Sequence, residues 1–249
     1  MFVTCRTKST RLPGKALLSI SPGVSVIEHV LRRAKSIGAD FPVILCTTLE
    51  DEDNILVEIA EREGVATYRG STNDKLDRWR SAAKHYDVEY FATFDADDLF
   101  CSPQLIKNYL LRANDYEEDL IQASGMISGI FTYGVRVSGL EKGCSHKSSV
   151  NTEMMWEFFK CTPGIRIGEL NEIPPQFRRR DMRFTLDYPE DLLFFRRVFL
   201  ELGYSSNLEV DHIVEFLASN MNLVDINFFR ENDYIQNQEK TILEERGKN

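Results

Sequence analysis

The chain has 249 residues, 43% of them hydrophobic and 28% charged, with 14 glycines and 8 prolines. That length suits one or two domains, and the composition excludes collagen-like, low-complexity and wholly disordered chains. With 30 Lys and Arg against 39 Asp and Glu the formal charge is −9, which argues against the basic footprint of non-specific nucleic-acid binding. An anionic ligand would have to meet positive charge that is concentrated locally. Five widely spaced cysteines, Cys5, Cys46, Cys101, Cys144 and Cys161, form no C-x-x-C pair and read as reduced thiols of a cytoplasmic protein. No apolar run approaches the ~20 residues of a membrane span. The opening Met1-Phe2-Val3-Thr4-Cys5-Arg6 lacks the basic and apolar regions of a signal peptide.

The first half alternates strand and helix signals. Phe2–Cys5 is a short apolar strand. Val24–Ile37 has helical periodicity through Val26, Ile27, Val30, Leu31 and Ala34, with Lys and Arg on the opposite face. Pro42–Cys46 is a buried strand, and Asp51–Glu63 a helix opened by acidic residues and stopped by Gly64. Strands at Val65–Tyr68 and Tyr90–Phe94 alternate with helices at Asp74–Tyr86 and Pro103–Arg112. A β-α-β-α order implies a parallel sheet with right-handed crossovers, hence an α/β fold.

The second half is less regular. Leu120–Ser124 and Phe131–Val137 read as strands and Val150–Lys160 as a helix. Arg183–Leu186 reads as a strand that hands over to a helix beginning near Pro189, a favoured first position. Val210–Ser219 is a further amphipathic helix, and the polar stretch 239–249 a frayed tail. The simplest organisation is one domain over 1–249, with an inserted lobe at approximately 125–180.

Ligands of open parallel sheets bind at the carboxyl ends of the strands, and three stretches there carry chemistry. Arg6-Thr7-Lys8-Ser9-Thr10-Arg11-Leu12-Pro13-Gly14-Lys15 places four cations and three hydroxyls directly after the first strand. Such a turn can form an anion nest, with Arg and Lys supplying charge-assisted bonds to phosphate. It matches neither the Walker A pattern nor G-x-G-x-x-G, and a solvated basic loop is the plain alternative. Asp95-Ala96-Asp97-Asp98 follows the fourth strand; three close carboxylates suit a hard cation such as Mg²⁺, or else an acidic, helix-capping turn. Asp187, where a strand meets a helix, reads either as a metal ligand or as a helix cap before Pro189. Arg178-Arg179-Arg180 and Arg183 could meet an acidic acceptor, or form a solvated basic edge. The four histidines, His29, His85, His146 and His212, have no metal-ligand spacing and read as surface or packed residues.

Together these stretches resemble the cytidylyltransferases that make CMP-activated sugars, the acylneuraminate and 3-deoxy-manno-octulosonate enzymes. The resemblance is closest to the branch named spore coat polysaccharide biosynthesis protein F. It rests on Arg6-x-x-Ser9-Thr10-Arg11-Leu12-Pro13-Gly14-Lys15, on Arg69-Gly70-Ser71-x-x-Asp74-x-Leu76-x-Arg78, on Asp97, on Phe184-Thr185-Leu186-Asp187-Tyr188-Pro189-Glu190-Asp191, and on Asp225-Ile226-Asn227. The chain departs from the family at Glu153-Met154-Met155-Trp156, where a polar His gives way to Met. The resemblance implies a Rossmann-like three-layer sandwich with a mostly parallel sheet, the nucleotide-diphospho-sugar transferase fold, in which the inserted lobe makes a homodimer. It implies CTP and a small-molecule acceptor as reactants, Mg²⁺ as cofactor, and a role in surface polysaccharide or glycoconjugate biosynthesis. Carried over, Arg6, Ser9, Arg11 and Lys15 hold the triphosphate, with Arg6, Lys15 and Asp97 catalytic. Asp97 and Asp187 bind the metal, and Asp74 and Arg78 lie near the nucleotide; Arg180 and Arg183 are acceptor candidates from the charge of their run alone, not from the resemblance. Two other readings fit the residues. Asp95-Ala96-Asp97 is a D-x-D such as a nucleotide-sugar glycosyltransferase uses, and a non-catalytic nucleotide-binding relative would account for the altered 153–156 segment.

Overall fold

The computed structural model describes residues 1–246. Its strands are β1 (Phe2–Thr4), β2 (Ser19–Ser21), β3 (Val24–Ser25), β4 (Ile44–Thr48), β5 (Ala66–Gly70), β6 (Tyr90–Asp95), β7 (Leu120–Gln122), β8 (Gly134–Arg136) and β9 (Ile167–Glu169). Seven of them form one sheet in the order β5-β4-β1-β6-β8-β7-β9. β5, β4, β1 and β6 are parallel neighbours, β8 runs antiparallel to β6 and β7, and β9 is parallel to β7. The connection after β1 leads to one side of that strand and the chain later returns as β6 on the other. The switch point therefore lies at the carboxyl end of β1, where Thr4 pairs with Asp95 and where an open α/β sheet places its ligand.

The helices are α1 (Val26–Lys35), α2 (Asn54–Arg62), α3 (Lys75–His85), α4 (Pro103–Leu111), α5 (Val137–His146), α6 (Met155–Cys161), α7 (Pro189–Leu202), α8 (Val210–Ala218), α9 (Met221–Val224) and α10 (Glu231–Arg246). Alternation along the strands sorts them into two layers. Val3, Leu45 and Phe94 face a core shared with α1, α2, α4, α7 and α8, while Phe2, Ile44, Cys46 and Phe91 face one shared with α3, α5 and α6. β4 is buried at every position, as a central parallel strand covered on both faces must be. α1 starts in a capping box, the Ser25 hydroxyl accepting from Glu28 N at 3.4 Å and Ser25 N donating to Glu28 Oε2 at 2.8 Å. α4 starts with Ser102 accepting from Leu105 N at 3.2 Å and with Pro103 in its first turn.

The second half departs from the sequence expectations. The predicted strand Phe131–Val137 shortens to β8, and its last residue opens α5. The sequence of α5 contains two glycines and two serines, weak helix formers. Gly139 lies so close to Asp119 that a Cβ would meet the Asp119 Cβ at 2.3 Å, so packing sets the residue there. The predicted helix Val150–Lys160 begins only at Met155. Residues 183–186 are extended but belong to no strand; they are held by one bridge between Ser128 and Arg183 and by Leu186 N donating to Asp97 O at 2.8 Å. Residues 125–180 contribute β8 and β9 to the main sheet and α5 and α6 to its face. Of the stretch expected to fray, residues 239–246 continue α10, and 247–249 lie outside the described residues. The helix lacks an apolar stripe, with Ile235 43% and Leu243 69% exposed; it docks through polar contacts of its first turn, which periodicity does not reveal. All five cysteines are unpaired, and only Cys161 is exposed. No helix among the described residues is long and apolar enough to cross a membrane.

Candidate active site

The loop after β1 is anchored at its start by a residue the sequence reading passed over. Asp53, 2% exposed, accepts from Thr7 N and Thr7 Oγ1, both at 2.7 Å, through Oδ1. Its Oδ2 accepts from Thr47 at 3.2 Å and from Thr48. Burial pushes this carboxyl up, but the hydroxyl and amide donors outweigh it and hold the group below the usual carboxylate range. At the far end of the loop Gly14 takes φ +66°, the left-handed conformation that glycine adopts without strain. The chain then enters a 3-10 turn, Lys15–Leu17, which turns Lys15 back toward the sheet.

Lys15 Nζ donates to Asp97 Oδ2 at 2.6 Å, to Leu186 O at 2.9 Å and to Asp187 Oδ1 at 3.2 Å. Its three N–H donors are all engaged. Burial would lower its pKa, yet the two carboxylates hold it above the ordinary lysine value. Asp187 is 1% exposed. Its Oδ1 also accepts from Arg11 Nη2, and its Oδ2 accepts from Arg183 Nη2 at 2.9 Å. Burial pushes Asp187 up, while Lys15, Arg11 and Arg183 together hold it far below the usual carboxylate range. Arg11 lies about equally far from the rings of Tyr188 and Tyr234, at 6.0 and 5.9 Å, and its buried Nε has no hydrogen-bond partner among the described residues.

Beside this pair sits a second acidic group. Carboxylate oxygens of Asp95, Asp97 and Asp98 lie within 4.8 Å of one another. Lys75 Nζ donates to Asp95 at 3.0 Å, and Thr132 Oγ1 to Asp98 at 3.0 Å. Burial, then the neighbouring carboxylates, push Asp98 well above its ordinary value; Asp95 is also raised, chiefly by burial and against the pull of Lys75. The cluster is short of positive charge, and its oxygen donors suit a hard divalent cation.

The remaining predicted site residues lie on the other flank. Arg6 donates to Thr72 O at 3.3 Å and pairs with Glu153 at 3.1 Å, so the altered 153–156 segment contributes directly to this wall. Arg78, 2% exposed, donates to Ser71 O at 2.6 Å. Asp74 caps α3, accepting from Asp77 N and from Thr152 Oγ1 at 3.0 Å each and pairing with Lys147. Ser9 is half-buried on the loop. One expectation is corrected: Arg183 does not face an acceptor. It is fully buried among Asp187, Asp191 at 3.0 Å and Glu231 at 2.9 Å. Arg180 is exposed and makes no contact with this group. The helix cap is Asp191 and not Asp187: Asp191 Oδ2 accepts from Asp187 N at 2.8 Å and Tyr188 N at 2.9 Å at the start of α7, while the Asp187 carboxylate accepts from side chains, those of Arg11, Lys15, Arg183 and Thr185. Asp53, Lys75 and Glu231 escaped the sequence reading because their partners lie 46, 20 and 48 residues away.

A mostly parallel sheet with a cationic loop after its first strand, facing carboxylates carried by two later segments, is the arrangement of a nucleotidyltransferase. The chain belongs to the cytidylyltransferase family: residues 1–152 match the family described as "Cytidylyltransferase". It is 30% identical over 234 residues to the uncharacterized protein MJ1063 of Methanocaldococcus jannaschii, covering 91% of this chain and 93% of that one. It is 21% identical to the spore coat polysaccharide biosynthesis protein SpsF of Bacillus subtilis, over 88% of this chain and 93% of that one. Its fold is similar to that of a cytidylyltransferase from Leptospira borgpetersenii, with a TM-score of 0.80 at 22% identity, covering 90% and 94% of the two chains.

Proposed function

We propose that the protein transfers CMP from CTP to a sugar, sugar acid or similar acceptor and releases pyrophosphate, for surface polysaccharide or glycoconjugate synthesis. Membership of the cytidylyltransferase family supports CTP as the donor. The observation that carries the reading is the convergence of Lys15, Arg11, Asp97 and Asp187 at the carboxyl end of β1. An acceptor oxygen forms a bond to the α-phosphorus of CTP as the bond from that phosphorus to the bridging oxygen of pyrophosphate breaks. The protein's work is positioning and charge stabilisation.

Arg6, Ser9, Arg11 and Lys15 line the loop that would hold the triphosphate. A phosphate oxygen reaches Lys15 by replacing one of its three present acceptors, and the ammonium then offsets charge that develops on the leaving pyrophosphate. Arg11, tied by Nη2 to Asp187, offers its remaining N–H groups to the same oxygens. Asp97 and Asp187 would hold Mg²⁺: Asp97 belongs to the Asp95–Asp98 cluster, whose oxygen donors suit a divalent ion, and Asp187 would exchange Lys15 or Arg11 for it. When bound, that ion supplies Lewis-acid polarisation of a phosphoryl oxygen. Asp74 and Arg78, both buried beside the loop, would stand on the nucleotide side of the site. The test is pyrophosphate release with each of the four NTPs and Mg²⁺, against sugar acids, amino sugars, sugar phosphates and phosphonates. Release with CTP and one acceptor class bears the proposal out; turnover of a nucleotide sugar without CTP would move the assignment to glycosyl transfer at Asp95-Ala96-Asp97.

A further inference from the structure

We propose that the C-terminal helix α10 sets the position of Asp187, with Glu231 and Tyr234 acting on it through the buried guanidinium of Arg183. The inference rests on the role given above to Asp187, and it adds two positioning residues from a part of the chain beyond the segment that carries the family match.

Arg183 has no exposed side-chain surface and divides its donors among three carboxylates. Nη2 holds Asp187 Oδ2 at 2.9 Å, Nε holds Asp191 Oδ1 at 3.0 Å, and Nη1 holds Glu231 Oε2 at 2.9 Å. The ring of Tyr234 lies 4.5 Å from the guanidinium, close enough for a cation–π contact. With three edges and one face engaged, the guanidinium can present Nη2 to Asp187 in one orientation. Glu231 is itself fixed from the other side, its Oε1 accepting from Ser128 Oγ at 3.0 Å. The start of the helix is tied to α7 by Arg230, which pairs with Glu190 at 2.8 Å. Asp191 holds the backbone of 187 and 188. Asp191 also grips the guanidinium at two points, Nε at 3.0 Å and Nη2 at 3.4 Å, and Glu231 and Tyr234 fix what this leaves free, the Nη1 end and one face of the plane. Without them the guanidinium can tilt about its Asp191 pair and lengthen the contact to Asp187 Oδ2. Groups that orient a metal-binding carboxylate in this way typically change metal affinity by roughly 10–100-fold when removed.

The experiment compares two affinities of the full chain: Mn²⁺ titrated without nucleotide and read by electron paramagnetic resonance, and CTP titrated without metal and read by calorimetry. Far-UV circular dichroism checks folding of each variant. Glu231→Ala and Tyr234→Ala should each weaken Mn²⁺ at least about tenfold while CTP stays within about threefold. Glu231→Gln, which keeps an acceptor, and Tyr234→Phe, which keeps the ring, should recover most of the loss. Where Glu231→Ala does not fold, Tyr234→Ala set against Tyr234→Phe carries the same comparison. Unchanged Mn²⁺ affinity in all variants, or equal weakening of Mn²⁺ and CTP, overturns the inference alone. A wild-type chain that binds no Mn²⁺ overturns the metal-holding role of Asp187 and this inference with it.

Discussion

Lys15 and Asp97 are joined at 2.6 Å across 82 residues of sequence, and the same ammonium reaches Asp187 at 3.2 Å. The contact places the cationic loop and both proposed metal carboxylates at one point. Replacing Lys15 with Ala should lower kcat by roughly 10²–10³, the usual cost of one charge-stabilising contact, with circular dichroism unchanged. Pyrophosphate release at saturating CTP measures it, and wild-type turnover would remove Lys15 from the mechanism.

The two carboxylates should respond differently to neutralisation. The Asp97 side chain is 27% exposed and that of Asp187 1%. Asp97→Asn should cost activity by the same roughly 10²–10³ factor with little loss of stability, because the Lys15 ammonium keeps Asp187 and Leu186 O as acceptors. Asp187→Asn leaves Lys15, Arg11 and Arg183 facing a neutral amide in a buried site. Breaking such a buried arrangement costs about 3–5 kcal/mol. Urea denaturation of both variants should therefore separate them clearly; equal stabilities would show that the buried network is not held by the Asp187 charge.

Asp53 touches no ligand in the proposed reaction, yet it holds the first turn of the loop through Thr7. Asp53→Ala leaves the buried Thr47 and Thr48 hydroxyls and the Thr7 amide without their acceptor, at about 1–3 kcal/mol. The loosened loop should raise KM for CTP several-fold more than it lowers kcat. Steady-state kinetics check the split, and a pure kcat effect would contradict it.

His29 gives the fold a pH dependence. It is fully buried, with Nε2 2.9 Å from Leu99 O and Nδ1 3.3 Å from Tyr204 Oη. Burial pushes its pKa down from 6.5 to about 3. Between those values the unfolded chain takes up a proton and the folded chain does not. The stability tied to the neutral ring is thus complete above pH 6.5 and declines as the pH falls toward 3, by about 1.4 kcal/mol per pH unit. His29→Gln can keep both hydrogen bonds and should flatten that slope. Denaturation curves at pH 7, 6 and 5 for the two proteins read the difference, and parallel curves would show that another group carries the effect.

Local pattern was enough for the parallel half of the molecule. β1, β4, β5 and β6 and the helices between them follow from apolar runs, helical spacing and boundary signals such as the acidic start of 51–63 and its stop at Gly64, because each signal lies within a few residues of the element it makes. The same holds for Arg11, Gly14-Lys15, Asp97 and Asp187, since each closes or follows an extended run and so falls at the end of the sheet where ligands bind. Whether those groups met was beyond the reach of pattern, as was the true place of Arg183. Its cation is spent on carboxylates at positions 187, 191 and 231, and only folding tells an arginine that holds protein acids from one that awaits a ligand. The helix at 231–246 was hidden for the same reason. It lacks an apolar stripe, and its attachment consists of ionic and ring contacts to residues far away in the chain. Short-range propensity and periodicity are properties of the sequence; the choice of partner for each charge depends on distances that exist only once the sheet has formed.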